Sequence, residues 1–186
     1  MKEQASAVAA WREVAREPVA DCKIFSVERS IAVSPVTGAS HAFHRIHSPS
    51  WVQILPITRD RQAVLVRQYR HGSQRVTLEI PAGLVDPGED PAAAALRECR
   101  EETGYVAQRA VPLGVLAPNP ALFANRLYSF FATDVEPAAA VENTATELTE
   151  AVLVPLASLE RMLVGGEIEH ALVAATLWRY LHLHAR

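Results

Sequence analysis

One segment of the chain, residues 83–105, combines strong helix signals with a dense set of charges: GLVDPGEDPAAAALRECREETGY. Asp90 is a good helix N-cap, and Pro91 suits the first helical position because its missing N–H is not needed there. Gly104 is a natural left-handed helix stop. The segment therefore predicts a helix over residues 91–103.

This helix carries more negative charge than its stability favours. At about 100° per residue, Glu98, Glu101 and Glu102 fall within roughly one third of the circumference. They repel one another and lie in the last turn, where the helix dipole favours cations. A solvated acidic face is one interpretation. The other is a bound hard cation such as Mg²⁺ or Mn²⁺, for which clustered carboxylate oxygens are suitable ligands.

The remaining helix positions predict a buried face and two arginines with different surroundings. Apolar side chains gather on one side and are expected to be buried: Ala92, Ala95, Leu96 and Cys99. Arg97 flanks the carboxylates, whereas Arg100 is expected to point away from them.

Length and composition exclude several classes of protein. With 186 residues, a single domain with a small extension is expected, and the net charge of −3 argues against a basic nucleic-acid-binding surface. Cys22 and Cys99 are too few for a disulfide framework. Charges interrupt every apolar run near the N-terminus, and no stretch resembles a signal peptide or a membrane span. We expect a soluble, cytoplasmic protein that binds neither nucleic acid nor membranes.

The rest of the chain mixes predicted strands and helices irregularly. Residues 1–20 have weak helical character and are expected to form a poorly ordered arm. Strands are predicted over residues 24–33, 41–47, 51–57, 62–69, 76–80, 108–117, 127–133 and 151–154. Further helices are predicted over 156–164 and 168–184, and a mobile loop over 138–150. This pattern predicts an α/β sandwich with a mixed sheet rather than a doubly wound fold.

The fixed spacings in residues 83–105 resemble the Nudix box, with every fixed position filled. A signature with this many fixed positions is highly specific. From about Trp51 onwards, the chain also resembles the ADP-ribose/nucleotide-sugar pyrophosphatase branch of that family. The segments that carry this resemblance are VRQYR at 66–70, LEIPAG at 78–83 and GEI at 166–168.

The resemblance implies a Nudix-type α/β/α sandwich with a mixed β-sheet and a small N-terminal β extension. Residues 48–186 would form the hydrolase domain, and residues 1–47 would form an N-terminal arm and β-strands. The branch commonly forms homodimers through such strands, so we expect residues 1–47 to contact a second copy and to help complete its substrate site.

The implied activity is hydrolysis of the pyrophosphate bond of ADP-ribose or a related nucleoside-diphosphate sugar, with Mg²⁺ or Mn²⁺ as cofactor. The products would be a nucleoside monophosphate and a sugar phosphate. One alternative is a catalytically silent Nudix-fold sensor of nucleotide sugars, which the intact box disfavours. Another is a Nudix hydrolase for a different nucleoside diphosphate derivative. Nothing in the flanking segments points to an isomerase on the same fold.

The resemblance also implies roles for the box residues. The main metal ligands would be Glu98 and Glu102, with further coordination from Glu101 and from the carbonyl of Ala82. Arg97 would orient a box carboxylate. Glu101 and Arg97 are also candidates for a direct catalytic role. The structural frame of the box would be Gly83, Glu89 and Gly104, with Glu89 as the partner of Arg97.

The general base in this branch resembles a glutamate on a loop well after the box. Glu142, Glu147 and Glu150 are the candidates, with three solvated surface glutamates as the alternative. Glu147 is preferred, because the residues that follow it align best with the family's acidic residue before the next strand.

Three residues are candidates for substrate binding. Arg70 resembles a phosphate-binding arginine of the branch, with a surface cation beside the sheet as the alternative. Pro120 lies close to the position of a marker proline in ADP-ribose hydrolases of the family. Asn125 lies in a segment where many members carry an acidic residue, so strict selectivity for ADP-ribose is not implied.

Overall fold

The structure is a computed structural model that describes residues 8–184. The chain divides into two compact units. The first comprises the described residues up to Pro49 together with Asn119–Asn125, and the second comprises Ser50–Pro118 and the described residues from Arg126 onwards.

The first unit is built on a three-stranded antiparallel sheet in the order β1-β2-β3. Its strands are β1 (Arg12–Asp21), β2 (Ser26–Val33) and β3 (Ser40–His47). The turn between β2 and β3 is closed by the Ser34 hydroxyl, which accepts hydrogen bonds from the backbone N–H groups of residues 36 and 37. A short parallel bridge from Ile46 to Phe123 joins Asn119–Asn125 to β3.

The prediction that residues 1–20 form a poorly ordered arm is wrong for residues 12–20, which belong to β1. Residues 1–7 of that arm lie outside the described residues. Nearly every position of β1 is exposed, so the strand carries no alternation of apolar and polar residues that would reveal it in the sequence. Its order comes from backbone pairing with β2 and from ion pairs to the sheet, such as Glu13 with Arg45 at 2.6 Å.

The second unit contains an eight-stranded mixed sheet, counted over its described residues, with the central order β11-β5-β4-β10-β8. Strands β6, β7 and β9 pair with β5, β4 and β10. The bounds are β4 (Trp51–Thr58), β5 (Gln62–Arg70), β6 (Arg75–Glu79), β7 (Ala82–Leu84), β8 (Tyr105–Val106), β9 (Val111–Leu116), β10 (Leu127–Pro137) and β11 (Thr149–Pro155). The sheet is mixed because β10 runs parallel to β4, whereas the other pairs are antiparallel.

Helices cover both faces of this sheet. They are α1 (Pro91–Thr103), α2 (Leu159–Val164), which follows a 3₁₀ turn at Leu156–Ser158, and α3 (Ala171–His184). Successive side chains of β5 lie on opposite faces of the sheet, in two separate hydrophobic cores. Val64 packs with Ala95 and Cys99 of α1, and Leu65 packs with the apolar side chains of α2 and α3. The predicted α/β sandwich with a mixed sheet is confirmed.

Several predicted boundaries shift for local reasons. The strand predicted over 108–117 is shortened to β9, and the short strand β8 before it was not predicted. The strand predicted over 127–133 continues to residue 137. The last helix begins at Ala171 rather than Ile168, because the N–H groups of Glu167 and Ile168 bond to Met162 O and close the end of α2. In the part of the chain that the structure describes, no helix has the length and apolar character needed to cross a membrane.

Candidate active site

Helix α1 forms where the sequence predicts it, with the predicted caps. The Asp90 carboxylate accepts hydrogen bonds from the backbone N–H groups of Ala92 and Ala93 at 2.9 and 3.2 Å. Gly104 ends the helix in the left-handed conformation, at φ 72°. The predicted buried face is confirmed, since Ala95 and Cys99 are fully buried and Ala92 and Leu96 pack against the same core. The acidic residues are thereby directed away from that core's centre.

Glu102 is a buried carboxylate beside strand β7. It is only 5% exposed, and it accepts a hydrogen bond from the backbone N–H of Ala82 at 2.9 Å. Burial raises the pKa of Glu102 to about 8; the negative charges of Glu98 and Glu147 add to this rise, and the Ala82 N–H and Arg70 oppose it. A carboxylate in this environment is ionised at little cost only when a positive charge lies next to it.

Glu98 occupies the space left by the missing side chain of Gly83. A Cβ at position 83 would overlap the Glu98 carboxylate. Strand β7 holds this glycine in place, because Gly83 pairs with Val52 of β4. Burial raises the pKa of Glu98 as well, against the lowering effect of Arg97. The short strand and the helix thus bring the half-buried Glu98 and the buried Glu102 next to the same backbone segment.

Arg97 ties the loop before α1 to the helix. Its guanidinium donates to both oxygens of Glu89 at 3.0 and 2.9 Å and to the carbonyl of Leu84 at 3.0 Å. It also donates to Glu98 at 2.8 Å and to Glu101 at 3.1 Å. These bonds raise the pKa of Arg97 and lower that of Glu89. Because all its N–H groups have acceptors, Arg97 is placed as a rigid brace.

The oxygen donors of the box suit a hard divalent cation. They are the carboxylates of Glu98, Glu101 and Glu102 and the carbonyl of Ala82, and Mg²⁺ and Mn²⁺ prefer such ligands. Among residues 8–184, no three His, Cys, Asp or Glu side chains are already arranged to hold a metal ion. Arg97 instead binds one oxygen each of Glu98 and Glu101. The raised pKa values of Glu98 and Glu102 nevertheless fit a nearby cation, which would favour their ionised forms.

The loop expected to be mobile, residues 138–150, is anchored to the end of α1. The N–H of Glu142 donates to Glu101 O at 2.7 Å, and the Thr149 hydroxyl donates to Glu102 O at 2.9 Å. These bonds satisfy carbonyls that a helix end leaves without partners. The loop that carries the candidate bases is therefore fixed to the helix that carries the box carboxylates. Its last residues, from Thr149, already belong to β11.

The three candidate bases have different surroundings. Glu147 accepts a hydrogen bond from the Gln68 amide at 2.8 Å, and its charge contributes to the raised pKa values of Glu98 and Glu102. Of the three candidates, Glu147 is therefore the one whose charge influences the ionisation of the box carboxylates. Glu150 is 67% exposed and pairs with Arg67 at 3.2 Å across β11 and β5.

Glu142 pairs with Arg100. The expectation that the Arg100 side chain points away from the carboxylates of α1 is wrong. Arg100 donates to Glu142 and also to Glu101, at 3.2 Å for the second bond. It therefore does not point away from all the carboxylates of its own helix. The anchored loop explains the difference, because it carries a second carboxylate to the end of α1.

Arg70 is locked to a buried glutamate rather than solvated as a surface cation. Its Nε and Nη2 atoms donate to the two oxygens of Glu79, both at 2.8 Å. Glu79 is 0% exposed and also accepts from the Thr77 hydroxyl at 2.6 Å. Burial alone would raise the pKa of Glu79, but the hydrogen bonds from Arg70 and Thr77 lower it. The third guanidinium nitrogen of Arg70, Nη1, takes no part in this forked pair with Glu79. The positive charge of Arg70 also lowers the pKa of Glu102.

Glu79 and Gln68 were not identified from the sequence as members of the site. Glu79 lies between Leu78 and Ile80 in an apolar strand, and that setting is the signal that could have identified it, since a buried glutamate requires a partner. Gln68 carries no such signal, because a single amide in a strand is common at sheet surfaces.

Pro120 and Asn125 belong to the first unit. Asn125 is buried and donates to the carbonyl of Pro49 at 3.0 Å. Pro120 lines an open cavity of about 670 Å³ in that unit, together with aromatic side chains such as Trp11 and Phe43. The box residues, Arg70 and Glu147 all belong to the second unit.

Known proteins share this sequence pattern and this fold. A family model described as the NUDIX domain matches residues 48–175. The ADP compounds hydrolase NudE of Escherichia coli (strain K12) is 31% identical over 157 residues, which cover 83% of each chain. An ADP-ribose pyrophosphatase of Bacillus subtilis (strain 168) is 32% identical over 90 residues, 48% of this chain and 49% of that one, so the match spans about half of that relative. The crystal structure of an ADP compounds hydrolase superposes with a TM-score of 0.83 at 26% identity, and the superposition covers 96% of both chains.

Proposed function

Because this chain belongs to the Nudix hydrolase family, we propose that it hydrolyses the pyrophosphate bond of ADP-ribose or of a related nucleoside-diphosphate sugar. The products are a nucleoside monophosphate and a sugar phosphate. The observation that carries the proposal is that Glu147 lies near enough to the box carboxylates Glu98 and Glu102 for its charge to raise the pKa of both, and that Arg70 opposes the rise at Glu102. The names of the relatives, an ADP compounds hydrolase and an ADP-ribose pyrophosphatase, support the substrate class.

Nudix hydrolases use divalent metal ions, and the proposed ion here is Mg²⁺, with Mn²⁺ as the alternative. Glu98 and Glu102 would hold it, with help from Glu101 and the Ala82 carbonyl. When bound, the ion supplies positive charge that stabilises the negative charge developing on the phosphoryl oxygens. Arg97 holds the box in place by fixing Glu89 and Leu84 to α1.

The reaction requires a base for the attacking water, and Glu147 is the proposed base. Its carboxylate binds the Gln68 amide and its charge acts on Glu98 and Glu102, whereas Glu142 and Glu150 are paired with arginines. Glu147 takes a proton from water as the water attacks phosphorus. Arg70 binds a phosphate oxygen through the guanidinium edge that Glu79 leaves open, because the buried fork with Glu79 fixes its orientation.

Residues 1–47 are proposed to mediate homodimer formation, with residues 48–186 as the hydrolase domain and the cytoplasm as the location. The first unit exposes several large apolar side chains, including Trp11, Val14, Val19 and Phe43, and such exposure is typical of an interaction surface. Light scattering at micromolar protein concentration should give the mass of a dimer. A monomer mass would contradict this part of the proposal.

The experiment that tests the function supplies ADP-ribose and several nucleotide sugars with Mg²⁺ and identifies the products. Release of AMP or another nucleoside monophosphate from at least one of them is expected. Tight binding of a nucleotide sugar without any product over hours would contradict the proposal and would indicate a Nudix-fold sensor instead. Pro120 and Asn125 are retained as proposed substrate contacts, and their alanine variants should raise KM for the best substrate in the panel.

A further inference from the structure

We propose that Gln68 is a positioning residue for the hydrolysis. Its amide N–H₂ holds the Glu147 carboxylate, and its amide oxygen accepts a hydrogen bond from a water molecule or a hydroxyl group bound beside Glu147. This inference rests on the proposed function, in which Glu147 is the base.

Gln68 is held rigidly in the sheet. It is 6% exposed, and its backbone lies between Thr149 of β11 and Thr77 of β6 in register. Because alternate residues of a strand share a face, Gln68 lies on the same side as Val64 and Arg70. Val64 packs with α1, so this is the sheet face that carries the box helix. Along this face, apolar side chains give way to polar ones at Gln68.

The Gln68 amide nitrogen donates to Oε1 of Glu147 at 2.8 Å. Glu147 itself is exposed and lies on the anchored loop, so the buried amide is what selects one orientation of its carboxylate. Binding at Oε1 leaves Oε2 available to accept a proton. A base held in this way is already oriented before the substrate arrives.

The Gln68 amide oxygen is buried and has no hydrogen-bond partner within residues 8–184. Buried polar atoms are rarely left in this state, so a bound water or ligand is the expected partner. Exchanging the amide nitrogen and oxygen of Gln68 would not give the oxygen a partner. The exchanged oxygen would face the Glu147 carboxylate, and two acceptors cannot form a hydrogen bond. The orphan oxygen is bonded to the same carbon as the nitrogen that binds Glu147, so its partner lies next to the base.

The chemistry of this partner is restricted. A carbonyl oxygen needs a hydrogen donor, and the Thr77 hydroxyl donates its hydrogen to Glu79 at 2.6 Å. A phosphate oxygen carries no hydrogen at neutral pH and would be repelled. Water fits both Gln68 and Glu147, because it can donate one hydrogen to each. A hydroxyl group of the sugar has a single hydrogen and can donate to only one of the two.

The test compares Gln68→Met with the wild-type chain and with the control Gln62→Met, which makes the same change at the other end of β5. With ADP-ribose and Mg²⁺, Gln68→Met should lower kcat by roughly tenfold to a hundredfold with little change in KM, as expected for a displaced base. Gln62→Met should retain the wild-type kcat. The isosteric Gln68→Glu, which places a negative charge opposite Glu147, should lower kcat further. If Gln68→Met does not fold, the kcat of Gln68→Glu replaces it as the test of the role of Gln68.

A double-mutant cycle separates positioning from a merely structural role. In the Glu147→Gln background, Gln68→Met should have almost no additional effect on kcat, because the base it positions is already absent. Additive effects in this cycle, or a Gln68→Met variant with the wild-type kcat, would overturn the role of Gln68. A wild-type chain that releases no nucleoside monophosphate would instead refute the proposed function on which it rests.

Discussion

Gly83 leaves no room for a side chain, because a Cβ at this position would overlap the carboxylate of Glu98. The overlapping atoms belong to the end of a flexible side chain, which can rotate away at small cost in stability. Gly83→Ala should therefore fold with nearly the wild-type melting temperature but lose roughly a hundredfold in kcat, since Glu98 is displaced.

Gly72→Ala is the matched control for this substitution, because nothing lies within 4 Å of a Cβ at position 72. It should retain the wild-type kcat and melting temperature. Steady-state kinetics and thermal melts of both variants measure the contrast. A Gly83→Ala variant with undiminished turnover would show that Glu98 need not occupy this space.

Arg97 braces the box through donors that a lysine cannot reproduce. Arg97→Lys loses the forked bonds to Glu89 and the bond to Leu84 O, so it should lower the free energy of unfolding by roughly 2 kcal/mol. The control Arg67→Lys alters an exposed pair with Glu150 and should change the free energy of unfolding by less than about 0.5 kcal/mol. Urea unfolding measures both, and equal stabilities for the two variants would contradict the brace.

Glu102 should make the metal-free protein less stable as pH rises. Its pKa of about 8 in the folded chain exceeds its ordinary value of 4.5, so between these values the folded state holds a proton that the unfolded state releases. The unfolding free energy contributed by this group therefore falls with increasing pH, by about 1.4 kcal/mol per pH unit at most. Glu102→Gln cannot titrate and should lack this part of the pH dependence.

Unfolding in urea at several pH values with a chelator present measures this difference. The wild-type protein should lose stability relative to Glu102→Gln as pH rises, and added Mg²⁺ should reduce that loss because a cation favours the ionised carboxylate. Parallel pH profiles for the two proteins would show that Glu102 is not held in its neutral form.

The three loop glutamates should differ sharply in their effect on turnover. Glu147→Gln should lower kcat by roughly a hundredfold or more, as expected when a general base is lost. Glu142→Gln and Glu150→Gln remove carboxylates that pair with Arg100 and Arg67, and both should keep the wild-type kcat within a few-fold. If Glu142→Gln or Glu150→Gln proves the most damaging of the three, Glu147 is not the base.

The box helix could be predicted from sequence because its signals are local. Asp90, Pro91 and Gly104 define its ends within a few residues of chain, and the structure places both caps there. Strand β1 could not be predicted in the same way. Both its faces are exposed, and it depends on pairing with β2, so no periodic pattern marks it.

The surroundings of the box depend on strand register, which the sequence does not reveal. Gln68, Thr77 and Thr149 come together because β6, β5 and β11 pair in one particular register. That register brings Glu79 to Arg70 and Gln68 to Glu147. A family resemblance can assign Arg70 and Glu147 by motif, but the residues that hold them are found only from the assembled sheet.

The most direct test of the central claim is the rate at which Glu102→Gln releases AMP from ADP-ribose in the presence of Mg²⁺. The buried carboxylate beside Ala82 is proposed to hold the ion that the reaction needs. We predict rapid release of AMP and ribose 5-phosphate by the wild-type chain and a rate at least roughly a hundredfold lower for the variant. Turnover by Glu102→Gln at the wild-type rate would contradict the claim.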